Sequence, residues 1–178
     1  MRVSEYYGLQ RTQPTLDFVD VDIEGDANVF IDPRALRLLP SEWGNECVFL
    51  IQSFFKTVLK AIQDGDQERG RSLLRALREP NETHLGLSRG RARGRAIGYY
   101  SSGTIWDALS QSEAAKSGLL EELEDTILMI EGISSDIISD IATNIIRRPL
   151  IRYTQETAKY YSIPLVPDVD SDSARVLL

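Results

Sequence analysis

The sequence predicts an α+β protein, a mainly helical single domain carrying one small antiparallel β-hairpin or sheet. Three observations carry this expectation. Val19, Val21 and Ile23 alternate with Asp20, Asp22 and Glu24, which is the period of a half-buried strand. Apolar residues recur every three or four positions from Trp43 to Ile62, which is the stripe of a core-facing helix. From Gly103 onward the remaining chain reads as further helices, with breaks at Pro149 and Pro164.

The first fifteen residues are polar, with Tyr6, Tyr7 and a break at Pro14, and have no decisive period. The predicted hairpin then spans Leu16 to Pro33, where Val29 and Ile31 alternate with Asn28, Phe30 and Asp32. A three-residue loop at Gly25, Asp26 and Ala27 pairs Ile23 with Val29 and Val21 with Ile31, which keeps one face dry. That register sets Asp20 across from Asp32, roughly 5 Å apart, with Asp22 and Glu24 further along the same face. Like charges held this close call for compensation, and paired carboxylates on a rigid strand suit Mg²⁺ or Mn²⁺, which take hard oxygen ligands. Asp20, Asp22, Glu24 and Asp32 are therefore the candidate metal ligands. Against this stands a plainer reading, the solvated acidic face of an edge hairpin that keeps other strands from adding on. A calcium loop beginning at Asp20 fails, because its twelfth position is Ile31 where a bidentate Glu is needed.

Asp32-Pro33 turns the chain into a short apolar connector interrupted by Arg34 and Arg37, and Ser41 caps the long helix to Gln63. Its stripe comprises Trp43, Cys47, Leu50, Ile51, Phe54, Val58 and Ile62, widened by Val48, Phe49, Phe55 and Leu59. Gly65 ends this helix and Asp66 caps the next, Gln67 to Arg78, which Glu79-Pro80 closes. Cys47 lies within the stripe and reads as a small buried hydrophobe rather than a nucleophile.

In the stretch from His84 to Gly98, Arg89, Arg91, Arg93 and Arg95 alternate with small residues. In an extended backbone the four guanidinium groups fall on one side, about 6.6 Å apart, within reach of successive phosphates of a nucleic-acid strand. A solvated basic loop, or intramolecular pairing with the acidic hairpin, explains the same residues without a ligand. The glycines match neither GxxxxGK[ST] nor GxGxxG after a strand, so no nucleotide cofactor is expected. Further helices are expected over 104–110, 119–131, 135–148 and 150–161. In the third, Ile137, Ile138, Ile141, Ile145 and Ile146 form the apolar face, and Asp136, Asp140 and Asn144 form a ladder that is either a ligand face or the wet face. The domain is expected over residues 1–164, followed by an acidic and then apolar tail over 165–178 that suits docking on a partner.

Composition bounds the function. The chain has 178 residues, a net charge of -7 and a pI near 4.8, so binding to nucleic acid must be local rather than spread over the surface. Cys47 is the only cysteine and His84 the only histidine, which leaves no disulfide and no zinc cluster. The N-terminus lacks the apolar core of a signal peptide and no apolar run approaches a bilayer span, so a cytoplasmic protein away from the membrane is expected.

The phrases DFVDVDIEGDANVFIDP, EPNETHLGLS and SSDIISDIATNIIRRPLIRYTQE resemble segments of uncharacterised bacterial proteins encoded in mobile-element or antiviral-defence loci. The resemblance covers most of residues 16 to 161 and brings no catalytic signature with it, so it implies a context rather than a chemistry. Two functions are expected from the sequence. The first is a non-catalytic subunit of a bacterial complex that binds nucleic acid through Arg89, Arg91, Arg93 and Arg95, or binds a protein partner or a second copy of itself. The alternative is a metal-dependent nuclease or phosphodiesterase using the acidic hairpin with Mg²⁺ or Mn²⁺. No lysine completes a PD-(D/E)xK pattern in the hairpin, which favours the first.

Overall fold

The computed structural model describes residues 1–24, 29–77 and 102–165. Within them the fold is all-α, which corrects the α+β expectation. The helices are α1 (Val3–Tyr6), α2 (Pro33–Arg37), α3 (Glu42–Gln63), α4 (Gln67–Arg75), α5 (Ser102–Gln111), α6 (Glu113–Ser117), α7 (Thr126–Met129), α8 (Ser135–Ile145) and α9 (Arg147–Tyr160). None of them is long and apolar enough to cross a membrane.

No strand forms among the described residues of the predicted hairpin, and the Gly25–Asp26–Ala27 loop lies outside them. The two arms find other partners. The first pairs with the N-terminus through a single antiparallel bridge between Arg2 and Asp22, with Val3 N–H donating to Val21 O at 3.1 Å and Ile23 N–H to Met1 O at 2.9 Å. The second runs past α8, where Ile31 N–H donates to Ser139 Oγ at 2.8 Å. A lone two-stranded hairpin is marginal in water, and here backbone groups of each arm are paired elsewhere, at Val21, Ile23 and Ile31. Val19, on the expected dry face, is accordingly exposed.

The centre of the fold is α3, as the apolar period predicts. Ser41 Oγ accepts from Gly44 N–H at 3.0 Å to cap it, and Cys47, Ile51, Phe54, Phe55, Val58, Leu59 and Ile62 are all buried. Each large side chain buried in this way contributes about 1.5–3 kcal/mol. Phe49, predicted at the edge of the stripe, is instead exposed. Gly65 takes φ +71° and Asp66 accepts from Arg69 N–H at 3.0 Å, so the turn into α4 forms as read.

Three further expectations change. The helix expected over 119–131 is replaced by a 3-10 turn at Leu123–Asp125 leading into the four residues of α7, because Glu122 and Glu124 turn toward Arg37 rather than continuing one helix face. Pro149 does not separate two helices. It sits in the first turn of α9, where a missing N–H removes no intrahelical bond. The ladder on α8 is only partly a wet face, since Asn144 is fully buried and donates to Asp140 O at 2.9 Å while accepting from the buried Arg147 at 2.8 Å. The five isoleucines of α8 and its end are buried as predicted.

Two contacts tie the ends of the bundle. Trp106 of α5 lies against Gly70 of α4, so close that a Cβ on Gly70 would stand 1.8 Å from the indole ring. Tyr153 and Tyr161 of the α9 end both donate to Asp17, at 2.6 Å to its carbonyl and 2.6 Å to its carboxylate, which straps the irregular N-terminal segment to α9.

Candidate functional site

The site is built where residues 30–34 meet α7 and α8. Asp32 Oδ1 accepts from Arg34 N–H at 2.9 Å and caps α2, and Pro33 supplies the first helical position with its φ already set. This fixes Phe30 and Ile31 against α8 and points α2 toward the acidic turn at Leu123–Asp125. Thr126, fully buried, donates to Leu123 O at 2.6 Å and closes that turn, which aims Ile127 and Leu128 outward.

Between these walls lies a cavity of about 310 Å³. Phe30, Ile31, Pro33, Ile127, Leu128 and Ile138 give its apolar lining, and Asp32, Arg34, Glu124 and Ser135 its polar edge. The rim is unusually apolar for an open surface. Phe30 is 53% exposed and Leu128 is 76% exposed, with Val29, Ile127 and Met129 also exposed beside them.

The wall is held by charge. Arg37 places one guanidinium nitrogen 2.6 Å from Glu122 and 2.6 Å from Glu124, and Arg34 pairs with Asp125 at 3.2 Å. Glu122 also accepts from Gln52 of α3 at 3.3 Å. Glu124 is only 5% exposed, and Arg37 reaches it as a close charge without the alignment of a hydrogen bond, so both carboxylate oxygens lack a donor. Its carboxylate lies at the cavity edge and pairs with Arg37 of α2. A buried carboxylate with one cationic neighbour costs the fold several kcal/mol if that neighbour is lost.

The residues singled out in the sequence have separate structural partners. Asp20 is buried, and its two oxygens accept from Ser4 N–H at 2.8 Å and Ser4 Oγ at 2.7 Å, which secures α1. Asp22 is exposed and accepts from the terminal ammonium at 2.9 Å and from Glu24 N–H at 3.0 Å. The Glu24 backbone bond, and then the ammonium, hold its carboxyl below the usual range, while Asp22 chiefly raises the ammonium. Glu24 reaches the same ammonium at 3.4 Å, and Asp32 caps α2. The strand pairing that would set Asp20 against Asp32 is absent among the described residues. Among those residues no group of three or more His, Cys, Asp and Glu side chains converges as a metal site. Arg89, Arg91, Arg93 and Arg95 lie outside the described residues, as do 166–178 of the tail.

Cys47 is buried in α3, and burial pushes its thiol up to about 11, the condition of an inert core residue. Sequence reasoning did not find the cavity. The one available signal was the pairing of Arg34 and Arg37 with the run Glu121, Glu122, Glu124 and Asp125, which are complementary in charge but far apart in the chain.

Fold and site together define an all-α domain with an open apolar cavity framed by ion pairs. The chain belongs to the family described as Domain of unknown function (DUF8370), whose model matches residues 8–175. That match takes in the whole helical core and most of the acidic tail. No curated protein and no solved structure matches the chain.

Proposed function

We propose that the chain is a non-catalytic subunit of a cytoplasmic bacterial complex, and that it binds a protein partner through the cavity between Phe30–Arg34 and Glu124–Ile138. The observation that carries this reading is the exposure of Phe30 and Leu128 on the rim of an apolar cavity. Large apolar side chains clustered around a concavity are costly to leave in water and are the usual mark of a binding surface. The ion pairs of Arg34 and Arg37 join the two walls, which suits a preformed site. The resemblance to proteins of mobile-element and antiviral-defence loci supports a complex of that kind. The metal-dependent nuclease alternative draws no support from Asp20, whose oxygens are already engaged by Ser4.

The test is site-specific photocrosslinking in the native cells. With p-benzoylphenylalanine at Leu128, one discrete protein adduct is expected, and Phe30→Asp removes it. The same probe at Leu119, equally solvent-facing but beside the C-terminal end of α3 near Gln63, gives no such adduct. No adduct at Leu128, or the same adduct from both positions, overturns the reading.

A further inference from the structure

We propose that the partner segment is an amphipathic, basic one: a large apolar side chain enters the cavity and flanking lysines or arginines face its acidic rim. This rests on the protein-binding reading above and names the chemistry that would satisfy it. The stretches 29–37 and 121–135, from which all the lining residues but Ile138 come, carry six carboxylates (Asp32, Glu121, Glu122, Glu124, Asp125 and Glu131) against two guanidiniums, Arg34 and Arg37. Both guanidiniums are already engaged by Glu122, Glu124 and Asp125. Asp32, Glu121 and Glu131 are exposed and form no ion pair with any described residue. Among the described residues of these two stretches the charge left unpaired is therefore negative.

Such an arrangement divides the work. The apolar anchor supplies affinity, because only a group that leaves water on entering the cavity gains from Phe30, Ile127 and Leu128. Asp32 on the lining, with Glu121 and Glu131 in the stretch that carries the opposite wall, supplies selection by sign and a dependence on salt, because exposed charges act over a Debye length of about 8 Å at physiological ionic strength. A cavity of about 310 Å³ is at the small end for bound molecules and suits one or two side chains. An acidic or purely polar segment fails on one count or the other.

Two fluorescein-labelled amphipathic peptides of about 15 residues test this, one of leucine and lysine and one of leucine and glutamate, read by anisotropy at rising salt. A serine and lysine peptide of equal charge controls for attraction without an anchor. The leucine–lysine peptide is expected to bind and the other two are not. Leu128→Glu makes the rim more acidic, so general attraction would strengthen, yet binding is expected to weaken about tenfold or more through loss of the anchor contact. Glu121→Gln with Glu131→Gln should weaken binding and flatten its salt dependence.

Unchanged or tighter binding by Leu128→Glu would show a merely electrostatic attraction and overturn the proposal. Binding of the leucine–glutamate peptide as tightly, still lost in Leu128→Glu, would overturn the basic chemistry while leaving the binding surface intact. Failure of every peptide overturns the proposal, and the crosslink at Leu128 then decides the protein-binding reading separately. Sedimentation of the unliganded protein completes the test: self-association abolished by Leu128→Glu would make a second copy the occupant and overturn the proposal. Leu128 is mostly exposed, so the variant should retain the fold, which its melting curve verifies.

Discussion

Replacing Gly70 with alanine sets helix propensity against packing, and the structure decides the sign. Alanine in place of glycine within a helix is worth up to about 1 kcal/mol of stability. The added Cβ would stand 1.8, 2.2 and 2.7 Å from three atoms of the Trp106 ring, where carbon atoms at rest keep about 3.5–4.0 Å. Relief requires the ring to move by well over 1 Å, and Trp106 is only 3% exposed, with Gly70 itself buried beneath it. A modest shift costs about 1–3 kcal/mol as overpacking. Expulsion of the ring forfeits burial of about 150–250 Å², or up to about 4–6 kcal/mol at 25 cal/mol per Å². A ring that must move by well over 1 Å but stays in the core costs between these limits, about 3–5 kcal/mol, so net of propensity Gly70→Ala should destabilise the protein by about 2–4 kcal/mol and lower Tm by about 5–15 °C for a chain of this size. Urea denaturation followed by circular dichroism measures the loss, and in a Trp43→Phe background the emission maximum reports Trp106 alone. Trp106→Leu should recover much of the loss in the double variant. If Gly70→Ala proves as stable as the parent, or more so, the α4–α5 contact is not the close one described.

Arg37→Met removes the only cation beside the buried Glu124 among the described residues and should cost at least about 2 kcal/mol, below the full 3–5 of a buried pair because Arg37 is itself about one-third exposed. Adding Glu124→Gln should return part of that loss in chemical denaturation. Asp20→Asn places an amide against two Ser4 donors and should cost about 1–3 kcal/mol in metal-free buffer; a rise in Tm with Mg²⁺ or Mn²⁺ that this variant abolishes would instead give Asp20 a metal role. Cys47 should resist a thiol-disulfide reagent at pH 8 in the folded protein and react stoichiometrically in denaturant, given its raised pKa of about 11. The hydrogen bond to Asp17 raises the Tyr161 phenol above its ordinary value, so its contribution to folding is fully present below about pH 10 and lost as pH rises through the raised value. Ultraviolet titration of the phenol should show that shift, and Asp17→Ala should reduce it.

The sequence by itself determined the elements whose signals are local. The 3.6-residue period of α3, its Ser41 cap, the Gly65–Asp66 turn into α4 and the isoleucine face of α8 are each written within a few residues of where they act. Cys47 was legible for the same reason, since its place in the stripe implies its burial. What only the tertiary structure decided depends on partners far along the chain. The alternation at 19–31 looked like a hairpin because period 2 over a few residues also describes any extended segment with one covered side. Its carbonyl and amide partners turned out to be Val3 and Ser139, the latter 108 residues away. The acidic stretch from Glu121 reads as helix until Arg37 draws Glu122 and Glu124 out of register, and Asn144 reads as surface until Arg147 and the backbone of Asp140 bury it with its hydrogen bonds made. The cavity belongs to this second kind: neither Phe30 nor Leu128 carries any mark of a site alone, and the opening exists because ion pairs between α2 and the 122–125 turn bring the two apolar edges together.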